Sequence, residues 1–544
     1  MSSETTAPTE SGNWTRLLIV FLVAFDAAAF WQWAGGAYQS EFGGHPQEGA
    51  HYVGALFARD AMLRGWKNAS HEPHGEPGGM GARFEQTIFE QNPSVVPAVW
   101  PPSFALVQSA WAAAFGASRI SVLLLVAALA AGVATFLYGA VREEFGEWAA
   151  IAAALLWLCA SLVRGSYEMV MPEMLGTLTM LGATLAWGRF LDLGHVRDAV
   201  GFGILALLAV LTEGAGLAVA LMAGLSLVFT WRRLSLAKWT LWVANIIPVF
   251  LGLLVWLLKV DRFDFRTRSA LAHAASFYAG KLAVAAGLAV TVFAVAGVCC
   301  RCFLRSERKG RWVAIASLVV SVFAYGCARP DRMEARHVVA AAPALIMLAV
   351  AGVRSIAGLM AARAPDARGR HRREWLWILL LVLLVLPLEV LKHRRKDFSG
   401  FGPIVRMLLA DAPRGARILI ASDPTGEGMF ISELVMNDRR RGFTIETAGL
   451  SLVTPESRKG DPRTWRERFA DDRVLLDYLT NGRIQYVVLD DAVPFEQRAD
   501  YHDQIRRVIE ENIRNFWPGP ESPIVRGGEI FGRPAKVYRV LAGG

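Results

Sequence analysis

Cysteine is scarce in this chain and poorly placed for cross-linking. Its five cysteines, Cys159, Cys299, Cys300, Cys302 and Cys327, all fall in or beside apolar segments, and none follows Cys327. No disulfide framework can be read from them. The Cys299-Cys-Arg-Cys302 cluster lacks the paired spacing of a zinc site. Glycine-rich phosphate loops are also missing: Asp423-Pro-Thr-Gly-Glu-Gly428 is neither GxGxxG nor a P-loop and reads as turn chemistry. The apolar run from Trp14 to Trp33 has no convincing small-residue cleavage site, so it reads as a retained first helix and not as a signal peptide. There is no internal repeat of the kind that builds many transporters, and that class is least favoured. Charge is sparse at 19% of residues, against 54% hydrophobic.

What is present is apolar length. About eleven stretches are long enough, or nearly so, to cross a bilayer, which needs roughly twenty mainly apolar residues each. They are 15–36, 118–141, 147–163, 170–190, 198–213, 215–231, 238–258, 281–302, 311–327, 337–360 and 374–391. A shorter run, 103–115, follows Pro101-Pro102 and reads as a re-entrant or interfacial piece. The expected fold is therefore a mainly α polytopic membrane protein with a small C-terminal α/β soluble domain. Residues 1–14 read as a disordered tail, 15–396 as the transmembrane domain with a long first external loop at 38–102, and 397–544 as the soluble domain.

The formal net charge is +9. Most Lys and Arg lie in short loops between apolar runs, so they serve orientation, and a nucleic-acid partner is not expected. With the N-terminus cytoplasmic, the runs Arg301 to Arg311 and Arg363 to Arg373 fall inside, and the C-terminal domain falls outside. In that domain, 417–423, 443–447, 484–490 and 535–541 read as strands. Helices are expected at 428–437, 474–480 and 501–515.

Several ionisable groups map to the external face. Such groups at membrane depth are costly and are functional candidates by default. Glu48 opens an amphipathic helix beside His51; it suits a general base or a metal ligand, or simply a first-turn acid facing the helix dipole. Glu173 follows Pro172 at a helix start, where a first-turn acid is equally the bland reading. Glu213 interrupts two apolar runs and needs a partner. Arg332 and Arg336, with His337 beside them, suit bidentate phosphate recognition or snorkelling to headgroups. His71 and His74 read as loop histidines.

The order of these groups resembles the GT-C superfamily of membrane glycosyltransferases. The likeness is to bacterial relatives of protein O-mannosyltransferases and of the aminoarabinose transferase that modifies lipid A. Pro46-Gln-Glu-Gly-Ala-His-Tyr-Val53 stands where the family has its first-loop acidic motif. Trp100-Pro-Pro-Ser-Phe104 and Ala114-Phe-Gly116 match the Pro-Pro motif and the phrase after it. Pro172-Glu173-Met-Leu175 matches the second acid, Thr212-Glu213-Gly214 a Thr-Lys-Gly-like turn, and Arg336-His337 to Pro343 a late Arg-Tyr helix start.

The resemblance implies transfer of a sugar from a polyprenyl-phosphate-linked donor to an acceptor outside a bacterial inner membrane. Glu48 and Glu173 would be catalytic. Arg336, Arg332, His337, Glu213 and His51 would bind substrate. A divalent metal ion on Glu48 is a further expectation. The sequence also departs from the family: its leading acid is Gln47 here, and its Lys is Glu213. Those departures favour a second reading, a non-catalytic protein of the same fold that either binds lipid-linked glycans or scaffolds a cell-envelope complex.

Overall fold

The computed structural model describes residues 10–68, 101–230, 250, 254, 268–303, 308–329, 333–361, 367–392, 394–438, 442–454, 466–481 and 484–541. The chain divides into two compact units. The first comprises Met1–Gln32, Leu124–Glu168 and Pro172–Arg394; the second comprises Trp33–Leu123, Met169–Met171 and Arg395–Gly544.

The first unit is helical. Among the described residues, four helical segments are long and apolar enough to cross a membrane: Trp14–Ala34, Arg119–Phe145, Lys309–Cys327 and Ala335–Leu359. Two bent pairs raise the number to six. The expected eleven spans are therefore not found among these residues, and the reasons are local. The 147–163 run breaks at Ala160, giving Glu147–Cys159 and Ser161–Tyr167 at 64°. The 281–302 run falls across a 100° bend between Leu271–Ala285 and Leu288–Phe303, at Gly287 with its positive φ of 89°. The 198–213 and 215–231 runs give short helices, Val196–Val210 and Ala218–Thr230. The 238–258 run lies outside the described residues but for 250 and 254. At the N-terminus the helix starts at Glu10, inside the expected tail.

Exposure supports a membrane setting for this unit. Leu380, Leu383, Leu384, Leu388 and Leu391 are exposed along the Ala367–Lys392 helix, an arrangement suited to lipid and not to water. Helix contacts use small residues, as expected where apolar burial gives little net drive. A Cβ on Gly297 would collide with Leu348 O, and one on Gly352 with Phe293 O. These two glycines let the Leu288–Val298 and Ala342–Ala361 helices meet backbone to backbone. The loop cations of the Arg301 to Arg311 run are paired: Arg311 Nη1 meets Glu143 at 3.0 Å and Arg301 meets Glu144 at 3.0 Å.

The second unit is built on a five-stranded sheet in the order β3-β2-β4-β8-β5. Its strands are β2 (Arg417–Ala421), β3 (Thr444–Thr447), β4 (Ile484–Leu489), β5 (Phe516–Ser522) and β8 (Ala535–Val540). β2 runs parallel to β3 and β4, while β8 is antiparallel to β4 and β5. Leu419, Val487, Leu489, Leu475, Ile505 and Val508 form its core. A small sheet joins β1 (Phe398–Ser399), β6 (Val525–Arg526) and β7 (Glu529–Ile530). β5 was not expected, because Pro518 and Pro520 argue against a strand; it sits at the sheet edge, where proline is tolerated.

The first-loop helix Glu48–Asn68 and the Pro102–Phe115 helix, which is the run read as re-entrant or interfacial, pack in this same unit. The Asp423–Gly428 turn accounts for part of that packing. Asp423 caps the Pro424–Asn437 helix by accepting from Thr425 N and Gly426 N. Gly49 meets Gly428 so closely that a Cβ on Gly49 would strike the Gly428 carbonyl.

Candidate functional site

In the helical unit, Glu173 stands in the first turn of the Glu173–Leu193 helix, after Pro172. Its Oε1 accepts from Arg336 Nη1 at 2.8 Å. Arg336 lies in the 3₁₀ turn Ala335–Ala341, and its Nε donates to Glu334 Oε2. Glu213, at the break before Gly214, lays its carboxylate over Gly176, one turn beyond Glu173; a Cβ on Gly176 would collide with it. Three carboxylates thus gather about one guanidinium. Both Glu173 and Arg336 are largely buried, at 3% and 14% side-chain exposure. Glu173 Oε2 is buried with no hydrogen-bond partner among the described residues. Such an oxygen marks a place where a donor is wanted. Beside this group, His337 Nδ1 lies 3.3 Å from Tyr278 OH, which accepts from Glu334 N at 3.3 Å. Arg332 lies outside the described residues.

In the second unit, Glu48 is fully buried. Its Oε1 accepts from Lys396 Nζ at 2.6 Å and from Val170 N at 3.1 Å, and its Oε2 accepts from Gly44 N at 2.9 Å. Gln47, next to it, is exposed. His51 sits one turn on, its ring edge against Phe104 at 5.9 Å. Lys396 is the residue the sequence did not single out. It lies 348 positions from Glu48, and its one visible signal is a lysine closing the Arg394-Arg395-Lys396 run before Asp397.

These donors do not fit a divalent cation on Glu48. An ammonium group and two backbone N–H groups occupy the carboxylate, and a metal would need further oxygen or nitrogen ligands facing it. Among the described residues, no group of three or more His, Cys, Asp or Glu is placed to hold a metal.

Glu41 plays a different part. It accepts from Gly400 N at 3.1 Å, Phe401 N at 3.2 Å and Gly402 N at 2.8 Å, where the Phe401–Asp411 helix begins. Burial, and then the neighbouring Glu433, push its carboxyl up to about 7, against the pull of those N–H groups and Arg119.

The chain is similar to known proteins at the level of fold. Residues 99–258 match the family model described as dolichyl-phosphate-mannose-protein mannosyltransferase. ArnT from Cupriavidus metallidurans in the apo state matches over 97% of this chain and 98% of its own, with a TM-score of 0.53 at 14% identity. The same protein bound to undecaprenyl phosphate matches equally well. An oligosaccharyltransferase from Archaeoglobus fulgidus, tethered to an acceptor peptide, matches over 87% of this chain and 69% of its own, with a TM-score of 0.50 at 15% identity. That oligosaccharyltransferase is also known in complex with zinc and sulfate. No curated protein matches the sequence. The chain shares its fold with ArnT and with the Archaeoglobus oligosaccharyltransferase.

Proposed function

We propose that this protein is an integral membrane glycosyltransferase that takes a sugar from a polyprenyl-phosphate donor and gives it to an extracytoplasmic acceptor in a bacterial inner membrane. The observation that carries the reading is the Glu173–Arg336 pair with its unpartnered Glu173 Oε2. A sugar hydroxyl of the donor supplies the hydrogen bond that this oxygen lacks. Arg336 meets the donor phosphate through guanidinium N–H groups. As the glycosidic C–O bond to phosphate breaks, negative charge grows on the departing oxygen, and a fixed guanidinium favours that state over the ground state. The charge of Glu213 lies beside Arg336, His337 follows it in the same 3₁₀ turn, and Arg332 is proposed as a second phosphate contact.

Glu48 is the acceptor-activating residue in this reading. An acceptor hydroxyl gives its proton to the carboxylate, and the oxygen attacks the anomeric carbon. Lys396 then has to exchange its bond to Glu48 for one to the incoming acceptor, and His51 lines the approach. A Glu48→Gln variant keeps the shape and loses the base, so transfer from undecaprenyl-phosphate-linked sugar should fall at least about a hundredfold, the lower range for general base catalysis. Undiminished transfer removes Glu48 from the mechanism.

The alternative, a catalytically silent binder of lipid-linked glycans, is favoured by one observation: Lys396 already neutralises Glu48. In that case the wild-type protein binds undecaprenyl phosphate and turns over no donor.

A further inference from the structure

The Pro102–Phe115 helix has its polarity reversed. It carries no charged side chain, and its polar residues, Ser103, Gln108 and Ser109, are all buried. Gln108 finds no hydrogen-bond partner there among the described residues. The outward stripe is wholly apolar: Leu106, Val107, Ala110, Ala113 and Ala114 are exposed, and Phe115 closes the helix at 66% exposure. A helix that faces water turns the other way, with apolar residues inward and amides outward. The inward face is engaged with protein. Ser109 Oγ donates to Ala55 O at 2.9 Å, and Phe104 lies edge to face with His51, so the Glu48–Asn68 helix covers that side.

Chain connectivity ties this helix to a bilayer. Gly116, Ala117 and Ser118 follow Phe115, at most roughly 10 Å of extended chain. Arg119 then opens the membrane-crossing helix Arg119–Phe145. Gly116, with φ +86°, turns the chain between the two helices. Trp111 Nε1 donates to Ser121 O at 2.9 Å, and Tyr52 OH donates to Ala117 O at 2.7 Å. The short helix is thus pinned to the head of the long one. At 14 residues it cannot cross a membrane alone, which takes roughly twenty. The second unit also begins at Trp33, which is exposed beside the end of the Trp14–Ala34 span. Tryptophan at a span end suits the membrane–water boundary.

We propose that the Pro102–Phe115 helix is a membrane-surface contact of the second unit, and that lipid is what covers its outward face. The helix lies along the bilayer surface. Leu106, Val107, Ala110, Ala113 and Ala114 sink to the boundary between headgroups and acyl chains, roughly 5–10 Å deep. An apolar stripe of this kind is unsuited to water, and the helix is too short to be a span. Because its inward face packs on the Glu48–Asn68 helix, the contact holds that helix at the membrane surface. The contact is independent of the proposed transferase activity, and a catalytically silent protein would keep it.

The test places an environment-sensitive fluorescent amino acid singly at Leu106, Ala110 or Phe495 in the full chain, reconstituted in phosphatidylcholine vesicles. Two quenchers are compared: iodide on both sides of the membrane, and phosphatidylcholine brominated either near the headgroup or near the chain end. Labels at Leu106 and Ala110 should be quenched most by the bromines near the headgroup and should lose iodide quenching. The label at Phe495, in an exposed 3₁₀ turn, should show the reverse and sets the water-facing value. Iodide quenching at Leu106 and Ala110 equal to that at Phe495 would overturn the contact. So would strongest quenching by the deep bromines, which means a buried span. Quenching by neither agent would overturn it as well, since protein, such as a second copy of the chain, then covers the face.

Discussion

Lys396 and Glu48, 348 residues apart in sequence, form a buried ion pair at 2.6 Å. Removing one partner of a buried pair strands the other charge, at a cost of about 3–5 kcal/mol. Lys396→Met should therefore destabilise the second unit by that order, seen as a lower thermal midpoint. Adding Glu48→Gln should restore most of the loss, because it removes the stranded charge. A single variant as stable as wild type would mean that the pair is solvated.

Gly176 is predicted to be intolerant of a methyl group. A Cβ there meets the Glu213 carboxylate, and overpacking of this kind costs about 1–3 kcal/mol. Gly176→Ala should lower the thermal midpoint, and Glu213→Ala in the same background should recover it. Additive effects in that double-mutant cycle would show that the two residues do not meet.

Glu41 gives the second unit a pH dependence of defined sign. Its carboxyl is pushed up to about 7 by burial and Glu433, from 4.5. Between those values the folded chain holds the proton and the unfolded chain releases it. Stability is thus full below 4.5 and is lost as pH rises through 7, by on the order of 3 kcal/mol. Denaturant midpoints from pH 4.5 to 7.5 should fall in wild type and lose this component in Glu41→Gln. An unchanged slope in the variant would assign the effect to another group.

Arg526 is predicted to hold the carboxyl ends of β2 and β4 together, because its Nη2 donates to Asp423 Oδ1 at 2.6 Å and to Asp490 Oδ2 at 2.5 Å. Arg526→Met leaves Asp423 and Asp490 buried without a cation and should cost about 3–5 kcal/mol. Hydrogen exchange should speed up first at 417–421 and 484–489. Adding Asp423→Asn and Asp490→Asn should recover protection; persistent fast exchange would point to lost packing instead.

How much of this was legible depended on range. Alternating strands and helices in the polar tail follow local patterning, so β2, β3, β4 and β8 stand where the sequence put them. β5 escaped notice because its prolines speak against a strand, and only its edge position resolves that. Hydropathy counted apolar length but not bends, so the run across Gly287 read as one span. Glu173, Glu213 and Arg336 could be nominated singly as membrane-depth charges, but Gly176, which lets two of them approach, carries no sequence signal. Lys396 was hidden because its partner, in the same unit, lies 348 positions away in sequence. A basic run after a last apolar helix reads first as orientation.

In the proposed reaction, Arg336 takes the charge of a departing polyprenyl phosphate. Release of undecaprenyl phosphate from an undecaprenyl-phosphate-linked sugar, followed by mass spectrometry of the lipid, tests it most directly. Wild-type protein should release the lipid in an acceptor-dependent way, and Arg336→Ala should slow release about a hundredfold or more, the scale for losing a charge-stabilising donor. Release by Arg336→Ala at the wild-type rate, or binding without release by the wild type, would contradict it.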